Sequence, residues 1–113
     1  MATVTITPAT IIPAKIAENA QTTQYTSTGL KTLIDKFTTR NYSGGAVTFA
    51  VNLVTLADTA GNQNLIVSRT LQAGETYTWP EIVGTELDAG DFISTIAGAA
   101  TSVNLRASGR KVT

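Results

Sequence analysis

The sequence predicts an all-β fold: a single antiparallel β-sandwich, of jelly-roll or immunoglobulin-like type, with an extended N-terminal arm. The first observation is that apolar and polar residues alternate with a period of two over most of the chain, as in half-buried strands. The second is that turn-forming segments such as "NYSGG" and "ADTAGNQN" separate these runs. The third is that no run predicts the crossover helices that a parallel sheet would need.

Four strands can be placed from the alternation. The apolar faces of the two clearest strands are formed by Val47, Phe49, Val51 and Leu53 in "AVTFAVNLV" and by Val103, Leu105 and Ala107 in "TSVNLRAS". In "NLIVSRTL", the charged Arg69 interrupts an apolar face. In "LKTLIDKFTTR", Leu33 and Phe37 share a face with Asp35, which predicts a bulge or an edge position for that strand.

A five-residue phrase, Leu-x-Ala-Gly-acid, occurs twice, at residues 71–75 and 87–91. Gly74 and Gly90 allow a backbone conformation that residues with a Cβ adopt at a cost. Glu75 and Asp91 can accept backbone N–H bonds where the next strand begins. We therefore predict two like structural turns. A catalytic carboxylate pair is the less favoured interpretation, because turn chemistry already explains each acid.

The residue types needed for most enzyme chemistry are missing from this chain. It contains no histidine and no cysteine, which removes the usual general base and the usual metal ligands. Asp58, Asn62 and Asn64 lack the spacing of a calcium-binding EF-hand, and the glycines form no phosphate-binding motif. We expect a protein that is not an enzyme, with no catalytic, cofactor-binding or metal-binding residues.

The low charge and the high threonine content indicate a weakly charged surface. The chain has 8 basic and 8 acidic residues, and its charged fraction of 14% is below the roughly 25% of ordinary domains. By count, 21 residues are threonine. Such a surface resists self-association poorly, so we expect a homo-oligomer, dimer or trimer; a threonine-rich soluble domain remains the alternative. Arg106, Arg110 and Lys111 are too sparse to predict nucleic-acid binding, and no run is long enough for a membrane span.

The N-terminal segment, residues 1–24, is predicted to be an extended arm or edge strand, and residues 25–113 the β-sandwich domain. Pro8 and Pro13 favour extended or edge conformations. The segment is either the first strand of the domain's own sheet or an arm that adds a strand to a neighbour. The candidate partner-contact residues are Val4, Ile6, Ile11, Ile12, Tyr77 and Trp79. Tyr77 and Trp79 share a strand face, which could instead belong to the core, to a subunit interface or to a glycan-binding platform.

Five short motifs follow one another between residues 13 and 113: T-x-x-Y-T, N-x-S, L-x-A-G-E-x-Y, L-x-A-G-D and A-S-G. The positions that carry them are Tyr25, Thr26, Asn41, Ser43, Gly74, Glu75, Tyr77, Gly90, Asp91, Ser108 and Gly109. Their order resembles a family of small virion proteins of tailed bacteriophages. The resemblance is a pattern of strands and turns and transfers no functional residue.

This resemblance implies a β-sandwich or jelly-roll protein that is a structural component of the virion. We expect a capsid decoration (cement) protein, made in the bacterial host cytoplasm, that binds the outer capsid surface and bridges major capsid subunits. Its partners would be the major capsid protein and neighbouring copies of itself. The first alternative is a neck, tail or fibre-anchoring component, and the second is a glycan-binding β-sandwich module. Deleting residues 2–12 is expected to weaken capsid occupancy and to leave the isolated fold largely intact.

Overall fold

The computed structural model describes residues 3–113, and these residues form nine β-strands in two antiparallel sheets. The strands are β1 Ile6–Ile16, β2 Thr22–Thr26, β3 Lys31–Asn41, β4 Val47–Val54, β5 Leu65–Leu71, β6 Thr76–Thr78, β7 Glu86–Asp88, β8 Phe92–Ala97 and β9 Val103–Val112. The predicted all-β fold is therefore confirmed, with a sandwich-like pair of sheets. No helix long and apolar enough to cross a membrane occurs in the described residues.

The five-stranded sheet has the order β1-β9-β3-β6, with β7 also paired to β3, and the four-stranded sheet has the order β2-β8-β4-β5. β6 pairs with residues 38–40 of β3 and β7 pairs with residues 31–33. Between these two pairings, residues 79–85 form an excursion away from β3. Backbone hydrogen bonds connect both ends of this excursion to β3. β6 and β7 thus lie along β3 as one interrupted strand.

The core lies between the two sheets. Its largest fully buried side chains are Trp79, Phe37 and Phe49, which come from the excursion after β6, from β3 and from β4. The predicted inner face of β4 is confirmed, because Val47, Phe49 and Val51 are buried and Leu53 packs against the same cluster. The predicted inner face of β9 is also confirmed, since Val103, Leu105 and Ala107 are buried.

β3 contains the predicted bulge. Its register against β9 shifts between Ile34 and Lys36, so Asp35 is the extra residue. Thr32 and Ile34 are buried before the bulge, and Phe37 and Thr39 are buried after it. The prediction that Leu33 and Phe37 share a face is therefore wrong, because one inserted residue reverses which alternate positions face inward.

Gly109 of β9 lies opposite Ile34, immediately before the bulge. A Cβ atom built on Gly109 would overlap the carbonyl oxygen of Leu33. The backbones of β3 and β9 therefore approach too closely here for any residue other than glycine.

The N-terminal segment is an edge strand of the chain's own sheet. β1 pairs with β9 from Ile6 opposite Val112 to Ile16 opposite Asn104. Ile11 and Ile12 are only 4% and 1% exposed, because a register shift between residues 10 and 12 turns both side chains towards the interior. Deletion of residues 2–12 would remove these core side chains, so the expectation that the fold survives it is corrected. Residues 1–2 of the predicted arm lie outside the described residues, and the boundary at residues 24–25 falls inside β2.

Candidate functional site

Trp79 belongs to the core and offers no surface to a partner. Its side chain is 0% exposed, and its Nε1–H donates a hydrogen bond of 2.8 Å to Oγ1 of Thr39. The ring of Phe49 lies 5.6 Å away on the opposite sheet. The expectations that Trp79 contacts a partner or forms a glycan platform are therefore corrected. The prediction that Ile11 and Ile12 contact a partner is corrected for the same reason, because both side chains are buried.

Tyr77 is half-buried at the side of the molecule where β5 and β6 face each other. Its ring packs edge-on against Trp79 at 4.9 Å, and the guanidinium of Arg69 lies 4.1 Å from its centroid. Arg69 also forms an ion pair of 3.1 Å with Glu75. Arg69 interrupts the apolar face of β5 because β5 is an edge strand, where a cation can cover an aromatic ring and still reach solvent.

The two repeated phrases form two turns of the same geometry. Gly74 and Gly90 have positive φ angles of 76° and 89°. Glu75 accepts the backbone N–H of the residue three positions earlier at 2.8 Å, and Asp91 does the same at 3.0 Å. The first turn lies beside Asn41, at one end of β3, and the second precedes β8 at the other end. The two acids are therefore too far apart to act as a carboxylate pair.

Glu75 is held ionised by its turn. The backbone N–H of Gln72 is the main cause that lowers the pKa of Glu75 below its ordinary value, and the hydrogen bond from Arg69 adds to it. The carboxylate thus fixes the turn and neutralises the nearest cation, which accounts for its place in the sequence without any catalytic role.

Asp58 is a loop residue held by donors of its own loop. It accepts the backbone N–H of Thr59 at 2.8 Å, and this bond is the main cause that lowers its pKa. Asn64, in the same loop, hydrogen-bonds to Asn52 of β4 at 2.8 Å. These contacts fold the loop over residues 55–64 onto the outer face of the four-stranded sheet. No group of three acidic, histidine or cysteine side chains suited to a metal ion occurs within residues 3–113.

Val4 and Ile6, the remaining predicted contact residues, are on the surface. Both side chains are 57% exposed. Ile6 lies opposite Val112, whose carbonyl oxygen accepts the N–H of the exposed Leu30. Exposed apolar side chains of β1 and of the β2–β3 connection thus lie on either side of the C-terminal end of β9.

The basic residues divide into those that have partners and those that do not. Ion pairs hold four of them: Lys15 with Glu18, Lys31 with Glu86, Arg69 with Glu75 and Arg110 with Asp35. Lys111 lies 5.7 Å from the ring centroid of Tyr25. Lys36, Arg40 and Arg106 have no ion-pair partner in the part of the chain that the structure describes.

These three cations lie together on the outer face of the five-stranded sheet. Lys36 and Arg40 follow the Asp35 bulge of β3 and alternate with buried residues, so they point away from the core. Arg106 of β9 is in register with Thr38, midway between them. We name Lys36, Arg40 and Arg106, with the neutral Thr38, Asn104 and Ser108, the basic half-face. On the other side of the bulge the same face has its cations paired with acids.

A recess of about 400 Å³ lies within the basic half-face. Its lining residues are Ala14, Lys36, Thr38, Asn104, Leu105, Arg106 and Ser108, which come from β1, β3 and β9. Cations, hydroxyl groups and an amide thus converge on one shallow site. Such a set suits the binding of anionic oxygen atoms, because every polar group in it can donate a hydrogen bond.

Sequence reasoning identified Arg106 but grouped it with the wrong residues. Arg110 is paired with Asp35 and Lys111 packs on Tyr25, so these two residues do not form one free basic surface with Arg106. The alternation of Lys36, Thr38 and Arg40 was the available signal in β3. It could not be joined to Arg106 without knowing that β3 and β9 are neighbours.

No protein-family model, curated protein or solved structure matches the chain.

Proposed function

We propose that this chain is a non-enzymatic structural protein of a tailed-bacteriophage particle. More specifically, we propose a capsid decoration protein that binds the outer shell, bridges major capsid subunits and contacts neighbouring copies of itself. The strand order is the single observation that supports this proposal most. The motif order given above adds a resemblance to small virion proteins.

The strand order favours a jelly roll. With β6 and β7 counted as one interrupted strand, eight strands form two four-stranded sheets, β1-β9-β3-β6/β7 and β2-β8-β4-β5. The chain passes to the other sheet from β1 to β2, from β2 to β3 and from β3 to β4. An immunoglobulin-like sandwich places its first two strands in one sheet. Eight-stranded double-sheet jelly rolls are found in viral capsid and lectin domains, so this topology supports a virion role.

The surface supports attachment by contact area. The exposed Val4 and Ile6 lie at one end of a molecule that measures 55 × 26 × 20 Å, and the basic half-face covers part of one broad side. Two separate contact areas on a small rigid body can engage different subunits of a shell. Many copies that each bind weakly then stabilise the shell together.

The proposal is tested on intact particles. Antibody raised against the purified chain and labelled with gold should decorate the whole outer shell in electron micrographs of particles released from the host. The copy number should be on the order of hundreds per particle, whereas about a dozen copies would indicate a neck or tail component. Particles that carry no label at all would contradict a virion role of any kind.

A pair of variants tests the contact residues. Val4→Ser with Ile6→Ser should lower the occupancy of particles that lack the wild-type protein. Leu65→Ser with Ile66→Ser, on the exposed part of β5, removes similar apolar surface and should leave occupancy unchanged. Equal loss in the two variants would show that general surface hydrophobicity, and not this end of the molecule, governs attachment.

A further inference from the structure

We propose that the basic half-face is a docking site for an acidic protein segment in extended conformation, with carboxylate side chains at alternate positions. This inference goes beyond the virion role, because it depends only on the charges and spacing of Lys36, Arg40 and Arg106. It assigns a binding chemistry to a surface that the sequence motifs leave without one.

The sheet edges are poorly suited to bind a partner, which leaves the faces. β1 carries Pro8 and Pro13, β6 and β7 are interrupted, β2 has five residues, and β5 has the inward-pointing Arg69. Each of these features discourages the addition of another strand. The outer face of the four-stranded sheet is partly covered by the loop over residues 55–64, through Asn52. The outer face of the five-stranded sheet is more open, and the basic half-face is the part of it where the cations have no acidic partner.

The charge balance of the molecule concentrates unpaired positive charge on this surface. The net charge of the whole chain is zero. Four basic side chains have no acidic partner within residues 3–113. Three of them lie here, and the fourth, Lys111, packs on the ring of Tyr25. Repulsion between neighbouring cations costs free energy in the free protein. A partner that brings carboxylates to this face would relieve the repulsion and gain charge-assisted hydrogen bonds.

The spacing of the cations matches an extended segment. Lys36, Arg106 and Arg40 follow one another along the strand direction in steps of two residues, which is about 6.6 Å per step. Side chains on one face of an extended partner repeat at the same interval. Arg40 and Arg106 can each bind a carboxylate through two parallel hydrogen bonds, while Thr38 and Ser108 can donate to the partner's other oxygen atoms.

A protein segment fits this surface better than a nucleic acid does. Proteins that bind single strands combine a long basic groove with aromatic side chains on which bases stack. The neutral members of the basic half-face are Thr38, Asn104 and Ser108, which stack poorly. Three cations would also give only a weak electrostatic contribution to binding a phosphate backbone.

The test uses the full chain and a short peptide in which aspartate alternates with threonine. Its affinity is measured by calorimetry at low salt, and the binding surface is mapped by backbone amide chemical shifts. A peptide with asparagine in place of aspartate and a short oligothymidylate of similar length are the comparison ligands. We expect the aspartate peptide to bind most tightly and to shift the amides of Thr38, Asn104 and Ser108.

Two charge-matched variants complete the test. The first variant removes the three cations of the basic half-face, through Lys36→Gln, Arg40→Gln and Arg106→Gln. The second variant removes three cations that are paired with acids, through Lys15→Gln, Lys31→Gln and Arg110→Gln. The first variant should weaken peptide binding by about five-fold or more, as expected for three exposed charge pairs, and the second by less than about two-fold. Equal weakening in both variants, tighter binding of oligothymidylate, or no binding of the aspartate peptide would each overturn the proposal.

Discussion

Replacing Ile12 with alanine tests whether β1 is part of the core. The Ile12 side chain is 1% exposed and packs in the cluster between the sheets. The substitution removes three carbon atoms, which at about 0.8 kcal/mol each amounts to about 2.4 kcal/mol of lost transfer free energy. The cavity left behind adds to this cost, and measured losses for such changes fall at about 2–5 kcal/mol. We expect the free energy of unfolding to fall by about 3 kcal/mol.

Equilibrium unfolding in urea measures this loss, with fluorescence of the single tryptophan, Trp79, as the signal. Trp79 is buried in the native state, so its emission should change on unfolding. Ile6→Ala is the control, because Ile6 lies in the same strand but is 57% exposed, and its cost should stay within about 0.5 kcal/mol. If Ile12→Ala cost no more than Ile6→Ala at an unchanged denaturant slope, β1 would not be a core strand.

Three further predictions concern single sites. Thr39→Val should lower the free energy of unfolding by about 1–3 kcal/mol, because it leaves the buried Nε1–H of Trp79 without an acceptor; Thr39→Ser should restore most of the loss in the same urea assay. Gly109→Ala should destabilise more than Gly74→Ala, because the added Cβ meets backbone at the first position and open space at the second; a larger fall in melting temperature for Gly74→Ala would contradict this. The pKa of Glu75 lies below its ordinary value of 4.5, so its stabilising contribution is present above that value and lost as pH falls through the lower folded pKa. Glu75→Gln should therefore be less stable than the wild type at neutral pH and equally stable in acid, and a constant difference across the titration would refute the assignment.

The alternation of apolar residues was enough to predict strands, because burial on one face imposes a period of two. It could not predict which strands are neighbours. β1 and β9 pair residues as distant in sequence as Ile6 and Val112, and no local pattern encodes such a pairing. The class of fold was therefore available from the sequence, while the strand order, and the surfaces that depend on it, were not.

Alternation also does not say whether an aromatic face of a strand is buried in the core or exposed to a partner. Tyr77 and Trp79 were correctly placed on one face, but a period of two fits an aromatic platform and a core equally well. Packing against Phe49 and the hydrogen bond to Thr39 decide the question, and both come from other strands. Ile11 and Ile12 show the reverse difficulty, since only a register irregularity allows two adjacent residues to be buried together.

The bulge at Asp35 links the pattern of the core to the chemistry of the surface. Because it adds one residue to β3, Phe37 and Thr39 face inward after it, and Lys36 and Arg40 must therefore face outward. If β3 paired with β9 without a bulge from Ile34 onward, Asp35 would lie opposite Ser108 and Lys36 opposite the buried Ala107, so Lys36 would face the core. The core could not accept that charge without a partner. The same irregularity that lets β3 bury its aromatic residue therefore also collects the free cations on one surface, beside Arg106.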